Sequence, residues 1–241
     1  MADIHIGTAG WSIPRQYADR FPAEGTSLER YSARLTAAEI NSSFHRPHRP
    51  ATWERWRDSV PGGFRFSVKL PKEITHQRKL VDIAGPLDDF ATQVRLLGDK
   101  LAVLLVQLPP KLEFDPAVAA AFFTALARHS PAPVACEPRH PSWFEDRADA
   151  LLARLSVARV AADPAIRPEA AAPGGWTGLA YWRLHGSPAM YRSAYGDRVR
   201  GYAGALKGAA AAGREAWCIF DNTASSAAMG DALALLDELR R

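Results

Sequence analysis

The run LAYWRLH, residues 179–185, sets Arg183 and His185 on one side of an extended strand and Trp182 and Leu184 on the other, because successive side chains of a strand point to opposite faces. The same split recurs in other short runs rich in strand-forming residues. Candidate strands fall at 4–9 (IHIGTA), 37–43 (AAEINSS), 64–70 (FRFSVKL), 101–107 (LAVLLVQ), 133–139 (PVACEPR), 157–163 (VARVAAD) and 216–221 (AWCIFD). Glu39, Asn41, Arg65, Lys69, Gln107, Glu137, Arg139, Arg159, Asp163 and Asp221 take the parity of Arg183 and His185, while Ile40, Phe66, Val68, Val106, Cys136, Val160 and Phe220 take that of Leu184. One face is apolar enough to meet a layer of helices, so the charged face points to the enclosed side of the strands.

Between these runs the sequence reads as amphipathic or Ala-rich helix at about 27–35, 51–58, 86–98, 115–128, 143–154, 198–212 and 223–240. After the sixth strand the stretch PAIRPEAAAPGGWTG, residues 164–178, has too much Pro and Gly for more than a short turn. Strand–helix alternation predicts parallel strands joined by helices. Repeated eight times in 241 residues, it predicts an α/β fold: one TIM-type (β/α)8 barrel domain over 1–241, with a short or missing sixth helix.

Composition agrees with one large core, since 47% of the chain is hydrophobic, and it excludes a disordered or collagen-like chain. The 30 Lys and Arg against 26 Asp and Glu leave a net charge of only +4, spread without a basic arm, which permits an anionic ligand but is no nucleic-acid footprint. Cys136 and Cys218 lie far apart without metal-binding or disulfide-framework spacing and read as small apolar core residues of a reduced, cytoplasmic protein. No apolar segment approaches the ~18 residues that a membrane span needs.

The inward charges gather at the C-terminal ends of the strands, where barrel active sites are assembled. Glu39, Glu137, Asp163 and Asp221, with His185, offer oxygen and nitrogen ligands for a metal. The five cations of the same parity already balance them, so neither metal nor cofactor is expected. Lys69, Arg139 and Arg183 are then anion clamps, and His185 at the barrel mouth is the preferred general acid and base. Pro109 and Pro110 stiffen the loop that holds the Gln107 amide. His76 and His140 sit on top loops as ordering hydrogen-bond residues, and the H-x-x-H of His45 and His48 lies on a Pro-rich loop rather than a helix face. Trp11, Phe44 and Trp143 follow strands and are candidate stacking surfaces. The loop GSPAMYRSAYGD, residues 186–197, carries Gly186 and Gly196 near its ends and predicts a mobile lid. Asn222 and Thr223 are placed to cap the eighth helix, beside a position where many barrels hold a phosphate.

GTAGWS, EINSSFHRP, PGGFRFSVKLPKEITHQRKL, LLVQLPP, CEPRHPSWF, YWRLHGS and IFDNTASSAAMGDALALL, in that order, closely resemble the domain of unknown function 72 (YecE-like) family across nearly the whole chain. The resemblance implies a TIM-type barrel and no settled reaction. It marks Gly10, Trp11, Glu39, Asn41, Phe44, Lys69, Thr75, His76, Gln107, Glu137, Arg139, His140, Trp143, Asp163, Arg183, His185, Gly186, Asn222 and Thr223. The chain departs from that pattern at His45, where the family has Tyr, at IPRQY in the first loop, and at Asp221, where a second Asn is usual. Asp221 adds a negative charge to the mouth.

The expected function is an enzyme with a small anionic or sugar-like ligand, in a hydrolase- or isomerase-like reaction. Glu137 and His185 transfer protons, with Glu39 and Asp163 as further catalytic candidates. A non-catalytic binding protein for a metabolite or nucleic acid is the alternative of a different class, and a metal-dependent phosphodiesterase-like barrel is a third, by analogy only.

Overall fold

The computed structural model describes residues 2–241. In chain order the elements are β1 (Ile4–Thr8), α1 (Ser27–Ser32), β2 (Ala37–Ile40), α2 (Pro50–Asp58), β3 (Arg65–Lys69), α3 (Ala84–Val94), β4 (Leu101–Gln107), α4 (Pro116–His129), β5 (Val134–Glu137), α5 (Asp146–Arg154), β6 (Val157–Arg159), β7 (Ala161–Asp163), β8 (Gly174–Gly175), β9 (Leu179–Leu184), α6 (Val199–Ala211), β10 (Glu215–Phe220) and α7 (Ala227–Leu239). Local chemistry starts several helices. A capping box joins Thr26 and Glu29 at α1, and the Asp115 carboxylate accepts from the amides of Ala117 and Val118 with Pro116 at the first position of α4. Where the sequence denies a sixth helix, the chain makes only a short 3-10 turn, Pro168–Ala171, and the two-residue β8.

Strands pair in parallel in two sheets, β1-β10-β9-β7 and β2-β3-β4-β5-β6-β8, with only β8 antiparallel. The ladder is therefore not one continuous ring. Residues 157–163 pass from one sheet to the other, β6 pairing with β5 and β7 with β9. Between β1 and β2 the ladder thins to one bridge, Ala9 to Glu39. There the Tyr31 hydroxyl, fully buried, accepts from the Thr8 amide at 2.8 Å and donates to the Ala37 carbonyl at 2.9 Å. Gly7 is required at this seam, because a Cβ would collide with the Ala37 carbonyl oxygen.

Apolar packing falls into two layers. The large outer cluster joins helices to the outward side chains Ile40, Phe66, Val68, Val106, Cys136, Leu184 and Phe220. A smaller inner cluster holds Ala37, Val103, Leu105, Ala135, Ala158, Val160, Leu179, Tyr181, Trp217 and Ile219. Of the seven strand runs with an expected parity, six keep it and the run 157–163 inverts it. Val160 faces inward there. Arg159 turns out to the Asp149 carboxylate of α5 at 2.8 Å, and Asp163 turns out to Arg198 and Tyr202. The inversion follows from composition: Arg159 and Asp163 find partners on the helix layer, while Ala158 and Val160 fill the interior. Arg65 keeps the inward parity but sits at the N-terminal end of β3, bonded to the Gly62 and Phe64 carbonyls. Cys136 and Cys218 are buried free thiols. Among the described residues no helix is long and apolar enough to cross a membrane.

Candidate functional site

At the C-terminal ends of β2, β3, β5, β9 and β10 the inward positions change from apolar to charged. Glu39, Glu137 and His185 are fully buried, Arg183 is 1% exposed, and Lys69 and Asp221 are each 8% exposed. Burying this much charge is costly unless it is paired, and Arg183 supplies most of the pairing. Its Nη2 lies 2.7 Å from Glu39 Oε1 and 3.0 Å from Asp221 Oδ2, and its Nη1 lies 3.1 Å from Glu137 Oε2. Burial alone would lower the pKa of Arg183, yet Glu39, Asp221 and Glu137 together hold it well above the ordinary value. The Tyr181 hydroxyl donates toward Glu39 Oε2 at 3.2 Å and lies 3.0 Å from Ser67 Oγ.

His185 stands between two carboxylates, with Nδ1 3.0 Å from Asp221 Oδ2 and Nε2 2.9 Å from Glu137 Oε1. The same Nε2 lies 2.8 Å from Arg139 Nη2. A neutral ring with its proton on Nδ1 donates to Asp221 and accepts from Arg139. A protonated ring donates to Asp221 and Glu137. Both protonation states thus have hydrogen-bond partners already in place, which suits a group that gains and loses a proton during a reaction. Burial pushes the Glu137 carboxyl upward, but Arg139, Arg183 and His185 outweigh it and hold Glu137 well below the usual range. Asp221 is likewise lowered, burial being overcome by Arg183 and His185. The three carboxylates Glu39, Glu137 and Asp221 meet the three cations Lys69, Arg139 and Arg183, so with His185 neutral the formal charges cancel.

Lys69 differs from the other two cations. Its ammonium makes no ion pair or hydrogen bond among the described residues and lies over the Phe44 ring, 4.1 Å from the centroid. Burial and the Arg183 charge lower its pKa against the opposing pull of Glu39, Glu137 and Asp221. His76 packs edge-on to Phe44 and is lowered by burial and by Lys69. Asn41 Oδ1 and Arg139 Nε are buried without partners, and the Gln107 amide reaches only the Leu108 carbonyl, at 3.5 Å. Gln107 stands in register with Glu137.

Other expected site residues lie elsewhere. Asp163 is outside the cluster, on the helix side of β7. Trp143 is buried and donates to the Leu112 carbonyl at 2.9 Å, while Trp11, half-buried, meets Trp56 of α2 and Phe66 of β3 edge-to-face and lines a small cleft with Thr8 and Thr223. His140 caps the turn Pro141–Phe144 through the Ser142 amide. Asn222 and Thr223 do not cap the last helix. α7 begins four residues after Thr223, and its cap residue, Ser226, makes no side-chain cap bond. Asn222 instead donates to Asp231 on α7 at 2.7 Å and to the Ser193 carbonyl at 2.9 Å. Arg183, expected as an anion clamp, is already saturated by three carboxylates and serves as the hub of the cluster. Tyr181 and Ser67 were not singled out from sequence, although Tyr181 shares the parity of Arg183 and His185.

The loop after β9 covers the cluster. Tyr191 presents its ring edge to His185 with centroids 5.6 Å apart, and its carbonyl accepts from the Ala224 amide at 3.0 Å. Tyr195 anchors the loop by accepting from the Gly186 amide and donating to the Asp163 carbonyl. Gly186, at φ 91°, takes a backbone conformation that strains L side chains. A cleft of about 590 Å³ lined by His5, Arg65 and Glu215 opens at the opposite, N-terminal ends of the strands, away from this chemistry. Among the described residues no three His, Cys, Asp or Glu side chains stand as a ligand set for a metal ion. Glu39, Glu137 and Asp221 face guanidinium groups instead.

Known proteins resemble this chain in sequence or in fold. UPF0759 protein YecE of Escherichia coli K12 is 30% identical over 106 residues, which are 44% of this chain and 38% of that protein. UPF0759 protein YunF of Bacillus subtilis is 29% identical over 147 residues, 58% of this chain and 52% of that protein. The matched segments thus span only 38% to 52% of these curated relatives. A DUF72 family protein from Thermotoga maritima superposes with a TM-score of 0.79 at 21% identity, covering 99% of both chains. One from Enterococcus faecalis gives 0.79 at 18% identity, over 99% of this chain and 96% of that one. A xylose isomerase-like TIM barrel/4-hydroxyphenylpyruvate dioxygenase fusion protein matches at a TM-score of 0.55 and 13% identity, over 99% of this chain and 42% of that one. At these identities the structural likeness speaks for the fold alone. The family model described as protein of unknown function DUF72 matches residues 5–241, and the chain belongs to that family.

Proposed function

We propose that this protein is an enzyme that carries out acid–base chemistry, hydrolase- or isomerase-like, on a small anionic or polyhydroxy compound at the C-terminal ends of its strands. The observation that carries this reading is His185 held between Glu137 and Asp221 with Arg139 at the same ring nitrogen. A buried imidazole with a partner ready for each protonation state is costly to assemble for stability alone, since apolar residues of similar size would pack as well. In this reading Glu137 and His185 move the proton, while Glu39 and Asp221 hold Arg183 and His185 in place. Arg139 and Lys69 meet the charged or polar part of the ligand, and the unpartnered Asn41 Oδ1 accepts from a ligand hydroxyl.

The two parallel sheets act in this reading as one (β/α)8 barrel, with the bridge between β1 and β2 and the passage from β6 to β7 as its seams. The loop of residues 186–197 is the lid. With His185 fully buried beneath Tyr191, ligand reaches the imidazole only when this loop lifts. A cytoplasmic setting belongs to the same reading and rests on the free thiols of Cys136 and Cys218.

The test is thermal-shift binding of inorganic phosphate, sugar acids and sugar phosphates, followed by turnover of whichever compound binds. Arg139→Met loses binding, whereas Glu137→Gln and His185→Asn keep binding and lose turnover by about 10²–10⁴-fold. Binding by none of the panel, or turnover unchanged in both proton-transfer variants, overturns the proposal.

A further inference from the structure

We propose that Lys69 is a nucleophile that forms an imine with a carbonyl substrate, an aldehyde or ketone carrying an anionic group for Arg139. The inference rests on the reading of this cluster as a catalytic site and names the substrate class it takes. Its basis is the contrast among the three cations. Arg183 is saturated by Glu39, Glu137 and Asp221, and Arg139 is paired with Glu137. The Lys69 ammonium has no carboxylate and no hydrogen-bond acceptor among the described residues.

Lys69 is largely buried, and an ammonium that burial strips of hydration without supplying a carboxylate gives up its proton more readily, leaving the neutral amine. The direction of the Lys69 pKa agrees, lowered first by burial and next by the Arg183 charge. Those are the two influences that turn a lysine into a nucleophile near neutral pH: a desolvating wall and a neighbouring cation. Phe44 forms the apolar wall, its ring face 4.1 Å from Nζ, and offers the ammonium only the weaker attraction of a π face in place of a carboxylate. Placement suits the role, since Lys69 ends β3 and shares the enclosed face with the proton-carrying pair His185 and Glu137.

The step balances without any redox partner. The amine lone pair attacks the carbonyl carbon and a C–N bond forms. His185 and Glu137 relay protons, so that the carbonyl oxygen takes both amine hydrogens and leaves as water when the C–O bond breaks. Water attack on the imine reverses the sequence and frees Lys69.

Glyoxylate, the smallest anionic aldehyde, is the probe, with cyanoborohydride to reduce any imine on the intact chain and peptide mass mapping to locate it. At pH 7 Lys69 is labelled severalfold faster than Lys72, Lys79, Lys111 and Lys207, in the direction its lowered pKa gives. Lys69→Arg keeps the charge, abolishes this fast phase and leaves the slow labelling of the other lysines intact. Labelling of Lys69 no faster than the others overturns the proposal. If the sugar-acid panel still binds in that case, imine formation alone is lost and the acid–base reading stands. Preferential labelling of Lys69 without panel binding upholds the nucleophile and removes the broader ligand assignment.

Discussion

Ala37, Ala135, Tyr181 and Ile219 lie in the inner apolar cluster with Val103, Leu105 and Trp217. Two residues further along the chain, on the same side, stand Glu39, Glu137, Arg183 and Asp221. The lower layer is held by burial and close packing, which are non-directional and insensitive to pH. The upper layer is held by ion pairs and hydrogen bonds that are worth having only as a complete set. One alternation of side chains therefore builds both the plug that fills the interior and the site that rests on it.

Removing one member from each layer separates the two most sharply. Arg183→Leu leaves Glu39, Glu137 and Asp221 without their shared guanidinium and costs about 3–5 kcal/mol, read as a fall in the urea midpoint. Leu105→Ala in the lower layer costs about 2–5 kcal/mol through lost burial and a cavity, and it leaves the charge cluster paired. If Arg183→Leu is neutral, the upper layer is not the interdependent unit described.

Acid separates the layers next. Glu137 and Asp221 are held below their ordinary pKa values in the folded chain, so the unfolded chain binds protons first as pH falls. Their contribution is present in full above the unfolded carboxylate range of about 4 and is lost as pH falls through the lower folded values. Urea midpoints measured from pH 7 to pH 3 fall along this limb for the native chain and for Leu105→Ala alike, and the limb flattens in Arg183→Leu. A limb of equal slope in Arg183→Leu sinks the assignment.

The smallest effect sharpens the boundary between inside and outside. Asp163 pairs with Arg198, whose side chain is 48% exposed. Asp163→Asn costs about 1 kcal/mol or less, a melting-temperature drop of roughly 2–4 °C at this chain length, and leaves ligand binding untouched. Loss of binding in that variant would return Asp163 to the site.

Alternation made Glu39, Lys69, Glu137, Arg183 and His185 legible as one group, because each lies on a strand long enough for its parity to be read. The sixth strand defeated the same reasoning. With Arg159 and Asp163 at one parity and Ala158, Val160 and Ala162 at the other, either face can be the inner one, and partners on the helix side decided it: Asp149 on the preceding α5, and Arg198 and Tyr202 from the far side of β9. Loop residues were less legible. Trp143, His140 and Asn222 carry the residue types of a site, yet each is spent on a local bond that closes a turn or ties two loops together.

What the sequence determined by itself is the alternation of eight strand runs with helices and the side of most strands that bears charge, because both follow from periodicities of two and 3.6 residues that need no knowledge of the partner. Only the tertiary structure decided which charges meet. Glu39 and Arg183 are 144 residues apart in the chain, and their 2.7 Å contact exists because strands from opposite ends of the sequence enclose one space. Their burial there makes each charge depend on the others, and that shared dependence is what leaves Lys69 as the cation without a carboxylate.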